Sequence, residues 1–144
     1  MSRALLDINV LLGLLDPDHA MHERAHDWAK GGLADGWASC ALTQNGFVRV
    51  LSQAAYPGHF SVSEAVGILR RSTADPRHEF FPCDVELTSP TIATDDIRGP
   101  GQITDIYLLA LAVSQDATFV TFDAKIELTA VVGATDRHLT VLTG

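Results

Sequence analysis

The chain has 144 residues, 47% hydrophobic and 19% charged, which excludes a long disordered polymer and fits one conventionally cored domain over residues 1–144. Its net charge of −8, from 18 acidic and 10 basic residues, argues against a protein that coats nucleic acid through clustered Lys and Arg. No apolar run approaches the roughly 18–20 residues of a membrane helix, and Met1-Ser2-Arg3-Ala4 leads straight into strand-like sequence, so no membrane is implied and the expected location is the cytoplasm.

Short apolar runs alternate with longer segments of helical period, the pattern of an α/β domain built on a mainly parallel sheet. Ala4-Leu5-Leu6 reads as a first strand ending at Asp7. Val10, Leu11, Leu14 and Leu15 then recur at helical spacing until Asp16-Pro17 stops them. A second helix carries Met21, Ala25, Trp28 and Ala29 on one face and breaks at Gly31-Gly32. Trp37 to Cys40 reads as a short strand, and Thr43 as the N-cap of a helix bearing Phe47, Val48 and Leu51. Ser61, with Glu64 three residues on, predicts a capping box for a helix with Ala65, Ile68 and Leu69 inward. Phe80-Phe81-Pro82 reads as a strand and Thr88 to Asp95 as a helix, with Gly99-Pro100-Gly101 a loop. Ile103 to Gln115 is a strongly apolar helix, followed by strands at Thr118 to Phe122 and Leu139 to Leu142. Cys40 and Cys83 lie beside apolar runs without CxxC spacing, and buried reduced thiols are expected.

Three acids stand out by position. Asp7 and Asp123 each follow an apolar strand, and Asp105 opens the apolar helix. In a parallel sheet, strand carboxyl ends and the helix starts after them share one edge, where such folds place their sites. Three carboxylates gathered there would repel one another and hold protons unless a cation intervened. Oxygen ligands without Cys or His suit Mg²⁺ or Mn²⁺, which can activate water and stabilise charge at a phosphate. Each acid also has a simpler reading, because an Asp at a helix start serves equally as a cap or as a partner of the helix dipole.

One other motif competes. His22-Glu23-Arg24-Ala25-His26 matches the HExxH pattern of zinc hydrolases letter for letter. Its helix faces inward through Met21, Ala25 and Trp28, which leaves both histidines to the side, and no third histidine follows at metzincin spacing. A solvated helix face is the simpler expectation.

Leu5-Leu6-Asp7-Ile8-Asn9-Val10-Leu11-Leu12 resembles the opening motif of PIN domains, particularly VapC-type toxins of bacterial toxin–antitoxin pairs. The likeness continues at Leu42 to Arg49, Thr104 to Ala112 and Val120 to Asp123, four motifs in family order across most of the chain. The resemblance implies a three-layer α/β/α PIN-like domain and metal-dependent endonucleolytic cleavage of RNA. It implies that Asp7, Asp105 and Asp123 hold Mg²⁺ or Mn²⁺, with Asn9 and Thr121 as supporting polar positions. It also implies a cognate VapB-like antitoxin and a homodimer. Many family members have Glu where this chain has Gln44, which cannot carry charge or act as a base. A natural three-acid branch, an inactivating substitution and a naturally weak enzyme remain open, as does a PIN-fold RNA- or protein-binding module with little catalysis. The missing charge predicts one strongly bound ion rather than two. A phospho-receiver, with Lys125 near the acids, is disfavoured because the first strand ends in a single Asp.

Overall fold

The computed structural model describes residues 2–143. The first apolar run forms strand β1 (Ala4–Leu6), all of it buried, and Asp7 caps helix α1 (Ile8–Leu15) by accepting the Ile8 N–H at 2.8 Å. Helix α2 (His22–Gly32) leads to strand β2 (Trp37–Cys40), which passes directly into helix α3 (Ala41–Leu51). Helix α4 (Val62–Thr73) opens with the expected Ser61/Glu64 capping box and precedes strand β3 (His78–Phe81). Helix α5 (Ile103–Ser114), strand β4 (Thr118–Thr121) and strand β5 (Leu139–Val141) complete the described elements.

The strands pair in parallel in the order β3-β2-β1-β4-β5. Alternation along β1 sends Leu5 to one face and Leu6 to the other, and a separate core lies on each side. Leu5 joins Phe119 and the α5 residues Leu108, Leu109 and Leu111, while Leu6 joins Val10, Leu11, Phe47, Leu51 and Leu69 from α1, α3 and α4. The result is the three-layer α/β/α arrangement. Because α5 is wedged against the sheet, it is apolar almost all round, and residues 106–112 are all buried. Phe47 and Phe119 are wholly enclosed, each contributing roughly 1.5–3 kcal/mol of burial. No helix among the described residues is long and apolar enough to cross a membrane.

Several local expectations are corrected. Residues 88–95 form no α-helix: turns surround Pro90, Ile92 bridges to Val131, and only a 3₁₀ turn at Thr94–Asp96 is helical. Proline and the Ser89–Thr91 hydroxyl bond, 2.9 Å, favour turns there, and only Ile92 is buried. Thr43 is not the N-cap of α3. The helix starts three residues earlier than that cap would give, with Cys40 at the N-cap position, and Thr43 reaches back to accept the Cys40 N–H at 2.9 Å. β3 begins at His78 and stops before Pro82, which cannot donate to a ladder. Helix α2 runs through Gly31 and Gly32, where the missing side chain lets the Trp28 ring lie against the backbone of Gly32. Cys40 is buried as expected, Cys83 is exposed, and both thiols are free.

Candidate active site

β1 and β4 are neighbours, and the crossovers leave this pair in opposite directions across the sheet, so a crevice opens at their carboxyl ends. Asp7 follows β1 and its backbone N–H donates to the Val120 carbonyl at 2.9 Å, locking it to β4. Its side chain is almost entirely buried. Oδ1 accepts the Ile8 N–H and Oδ2 accepts the Thr121 hydroxyl at 2.6 Å. Thr121, itself fully buried, also accepts the Asp123 N–H at 3.1 Å, so one hydroxyl ties two strand ends together. Asp123 turns back to accept the Lys125 N–H at 2.9 Å, and Asn9 Oδ1 takes the Phe122 N–H at a long 3.5 Å.

Asp105 enters from the first turn of α5, close enough to Asp7 and Asp123 for their carboxylates to act on it. Its pKa is pushed up to about 7, first by burial, then by the negative charge of Asp7, the hydrogen bond with Asp123 and the charge of Asp123. Burial likewise raises Asp7, against the lowering effect of the Thr121 and Ile8 bonds, and Asp123 adds to the rise. No Lys or Arg forms an ion pair with these three acids among the described residues. The edge therefore carries a group of acids with no ion-pair partner among the described residues.

Among the described residues, no three or more His, Cys, Asp or Glu side chains are gathered closely enough to hold a metal ion between them as they stand. A hard, strongly hydrated cation such as Mg²⁺ takes only one or two carboxylates directly and keeps several waters, so it does not require three converging side chains. The donor set, all oxygen and short of positive charge, fits such an ion.

Gln44 sits in the first turns of α3, half-buried, and its amide nitrogen donates to Ser39 Oγ at 3.0 Å rather than to an aspartate. Ser39 in turn lies 2.8 Å from His78 Nε2. Sequence inspection offers no sign of this chain, because only the parallel register of β2 and β3 brings residues 39 and 78 together. Arg49 is exposed on the last turn of α3, Arg70 and Arg71 are exposed on α4, and Arg98 pairs with Glu127 at 3.0 Å.

The HExxH histidines are elsewhere. His22 Nδ1 meets the Gly13 carbonyl at 2.8 Å and its ring lies 4.2 Å from that of His26, so the first histidine tethers α2 to α1. With no further ligand gathered beside them among the described residues, the zinc reading loses its structural support.

The sequence of residues 4–132 matches the family model for the PIN domain. The chain belongs to the PIN-domain family. Over 141 residues it is 57% identical to ribonuclease VapC44 of Mycobacterium tuberculosis, covering 97% of this chain and 99% of that one. It is 36% identical to ribonuclease VapC38 of the same species, covering 85% and 86% respectively. These relatives mark it as a VapC-type PIN domain. The fold also resembles the crystal structure of VapBC2 from Rickettsia felis bound to a promoter DNA fragment, with a TM-score of 0.58, 16% identity, and coverage of 96% and 97%. At that identity the likeness concerns architecture alone. In this PIN domain the three acids lie towards the shared carboxyl edge of β1 and β4, the edge at which open parallel α/β sheets generally bind ligands.

Proposed function

We propose that this PIN domain is a toxin-type endoribonuclease that cleaves RNA at the Asp7–Asp105–Asp123 pocket with Mg²⁺ or Mn²⁺ bound there. One observation carries the reading. Asp105 is raised to about 7 by burial and by two neighbouring carboxylates with no protein cation to offset them. A protein gains nothing in stability from such a cluster, whereas a cation-binding nuclease needs it. The bound ion would supply Lewis-acid stabilisation of the phosphate and a more acidic water.

The protein's own residues prepare the site. Asp7 is fixed by two hydrogen bonds, Thr121 sets the spacing of Asp7 and Asp123, and Asp105 is the group whose proton the cation must displace. Because no arginine or lysine is ion-paired with the three acids among the described residues, RNA would be held chiefly through the ion. The VapC-type relatives support a VapB-like antitoxin as partner, and the same reading includes a homodimer and a cytoplasmic setting.

The test is cleavage of RNA in Mg²⁺ or Mn²⁺, with and without EDTA, by the native chain, Asp7→Asn and Asp105→Asn. Cleavage that persists through both substitutions and chelation would remove this reading. A second reading, a PIN-fold binding module of low activity, draws on Gln44, an uncharged amide where the family resemblance leads one to expect glutamate. Revival of a silent native protein by Gln44→Glu would select it.

A further inference from the structure

Ser39 is completely buried on β2 and has two recorded polar neighbours, Gln44 Nε2 at 3.0 Å and His78 Nε2 at 2.8 Å. A serine hydroxyl offers one proton and two lone pairs, and an amide nitrogen can only donate. The bond from Gln44 therefore occupies a lone pair, and the single hydroxyl proton goes to His78 Nε2. Leaving that proton unused in the interior would cost roughly 1–3 kcal/mol. His78 Nε2 must then be the bare nitrogen, with the ring proton on Nδ1.

The surroundings keep the ring in this neutral form. Trp37 lies against it at 4.5 Å between centroids, at 56°. Burial first, and then the positive charge of Arg3, lower its pKa, while Asp75, Glu79 and the Thr73 carbonyl act in the opposite sense. Hydrogen bonds therefore run in one direction, from the Gln44 amide through the Ser39 hydroxyl to His78.

We propose that Ser39 and His78 are positioning residues that fix the orientation of Gln44, anchoring its nitrogen and leaving Oε1 as a neutral acceptor for the acidic pocket or its hydrated ligands. This rests on the nuclease reading for its purpose, but its geometry does not. A glutamate at residue 44 could only accept, so Ser39 would turn its proton toward it and His78 would have to supply an Nε2–H. The neutral residue at position 44 and the ring tautomer at position 78 are thus two ends of one arrangement. Mutual polarisation along such a chain favours one direction throughout.

The experiment is ¹⁵N NMR of the His78 ring in the full chain. The native protein should show the Nδ1–H tautomer, Gln44→Glu should convert it to Nε2–H, and Gln44→Glu combined with Ser39→Ala should not. Finding Nε2–H in the native ring, or no response to Gln44→Glu, overturns the proposal. In RNA cleavage, Ser39→Ala should lower kcat about 10-fold with KM little changed, the order expected when a supporting hydrogen bond is lost. Ser39→Thr, which keeps the hydroxyl, should restore kcat to within about 2-fold. Native-like kcat in Ser39→Ala would overturn the positioning role even if the tautomer agrees. If no variant and not the native chain cleaves RNA, the nuclease reading fails while the tautomer still decides the relay.

Discussion

At the amino end of the sheet three acids each have a cation beside them. Glu79 meets Arg3 at 3.1 Å, Asp75 meets Arg77 at 2.9 Å, and Asp116 meets Arg137. The Arg77 guanidinium holds Asp75 at about 2, and Arg137 lowers Asp116. At the carboxyl end Asp7 and Asp105 are displaced the other way, by burial first and then by neighbouring carboxylates, Asp123 for Asp7, and Asp7 and Asp123 for Asp105. One residue type thus behaves in two opposite manners some three or four residues apart along the strands. Surface pairs of the first sort contribute little to stability. The frustrated cluster costs stability, and the cation proposed for this edge would offset that cost.

The sharpest way to break this contrast is to remove one acid from the carboxyl edge. Asp7→Asn or Asp105→Asn should reduce metal-dependent RNA cleavage by about 100- to 1000-fold, as when a principal electrostatic element of a site is lost. A comparable loss on neutralising Asp116 would show that the two edges are not functionally distinct. Thr121→Val tests the scaffold beneath the acids. It deletes the hydroxyl that donates to Asp7 and receives the Asp123 N–H, so Mg²⁺ affinity, read by titration calorimetry, should fall about 10-fold. Unchanged affinity would mean that Asp7 and Asp123 are held by the backbone alone.

How much of this contrast was legible beforehand depends on the range of the interaction. Asp7, Asp105 and Asp123 could be read from local pattern, since each adjoins an apolar run whose period fixes strand or helix and hence the edge it occupies. Their convergence follows from the parallel order of β1 and β4. The Gln44–Ser39–His78 chain could not be read, because it depends on strand register, which no single segment encodes. Residues 88–95 misled for another reason. Their composition permits a weak helix, but the bridge from Ile92 to Val131 and the turns around Pro90 override that propensity. Thr43 misled because a threonine can serve as the cap or reach back to it from the first turn.

The edges should also pull stability in opposite directions with pH, and Asp105 dominates the upper window. Its folded pKa lies near 7 against the usual 3.8, so between about pH 4 and 7 the folded chain binds more protons than the unfolded one. Stability in EDTA is therefore full below about pH 4 and is lost as pH rises through 7. Asp105→Asn should raise Tm at pH 8 in EDTA by a few degrees, on the order of 1 kcal/mol after allowing for its partial exposure. Saturating Mg²⁺ should stabilise the native chain at pH 8 more than at pH 5. A flat thermal profile in EDTA across this window would show that the acids do not compete for a proton.

Arg77→Ala probes the smallest effect, and its sign is the reverse. Asp75 is held at about 2 against 3.8 by hydrogen bonds from Arg77, its side chain foremost, so the unfolded chain binds more protons between these values. The pair's contribution is present above about pH 4 and lost as pH falls toward 2. Native and Arg77→Ala proteins should therefore differ slightly at neutral pH and converge in acid. The difference should also shrink in 1 M salt, where screening acts over about 3 Å, because both side chains meet solvent. Asp105 lies in a pocket that water enters less freely, so its effect should survive salt better than that of Asp75. If Arg77→Ala shifted Tm as far as Asp105→Asn does, the amino edge would be a structural keystone rather than a screened surface pair. The difference between the two ends would then lie in packing instead of in charge.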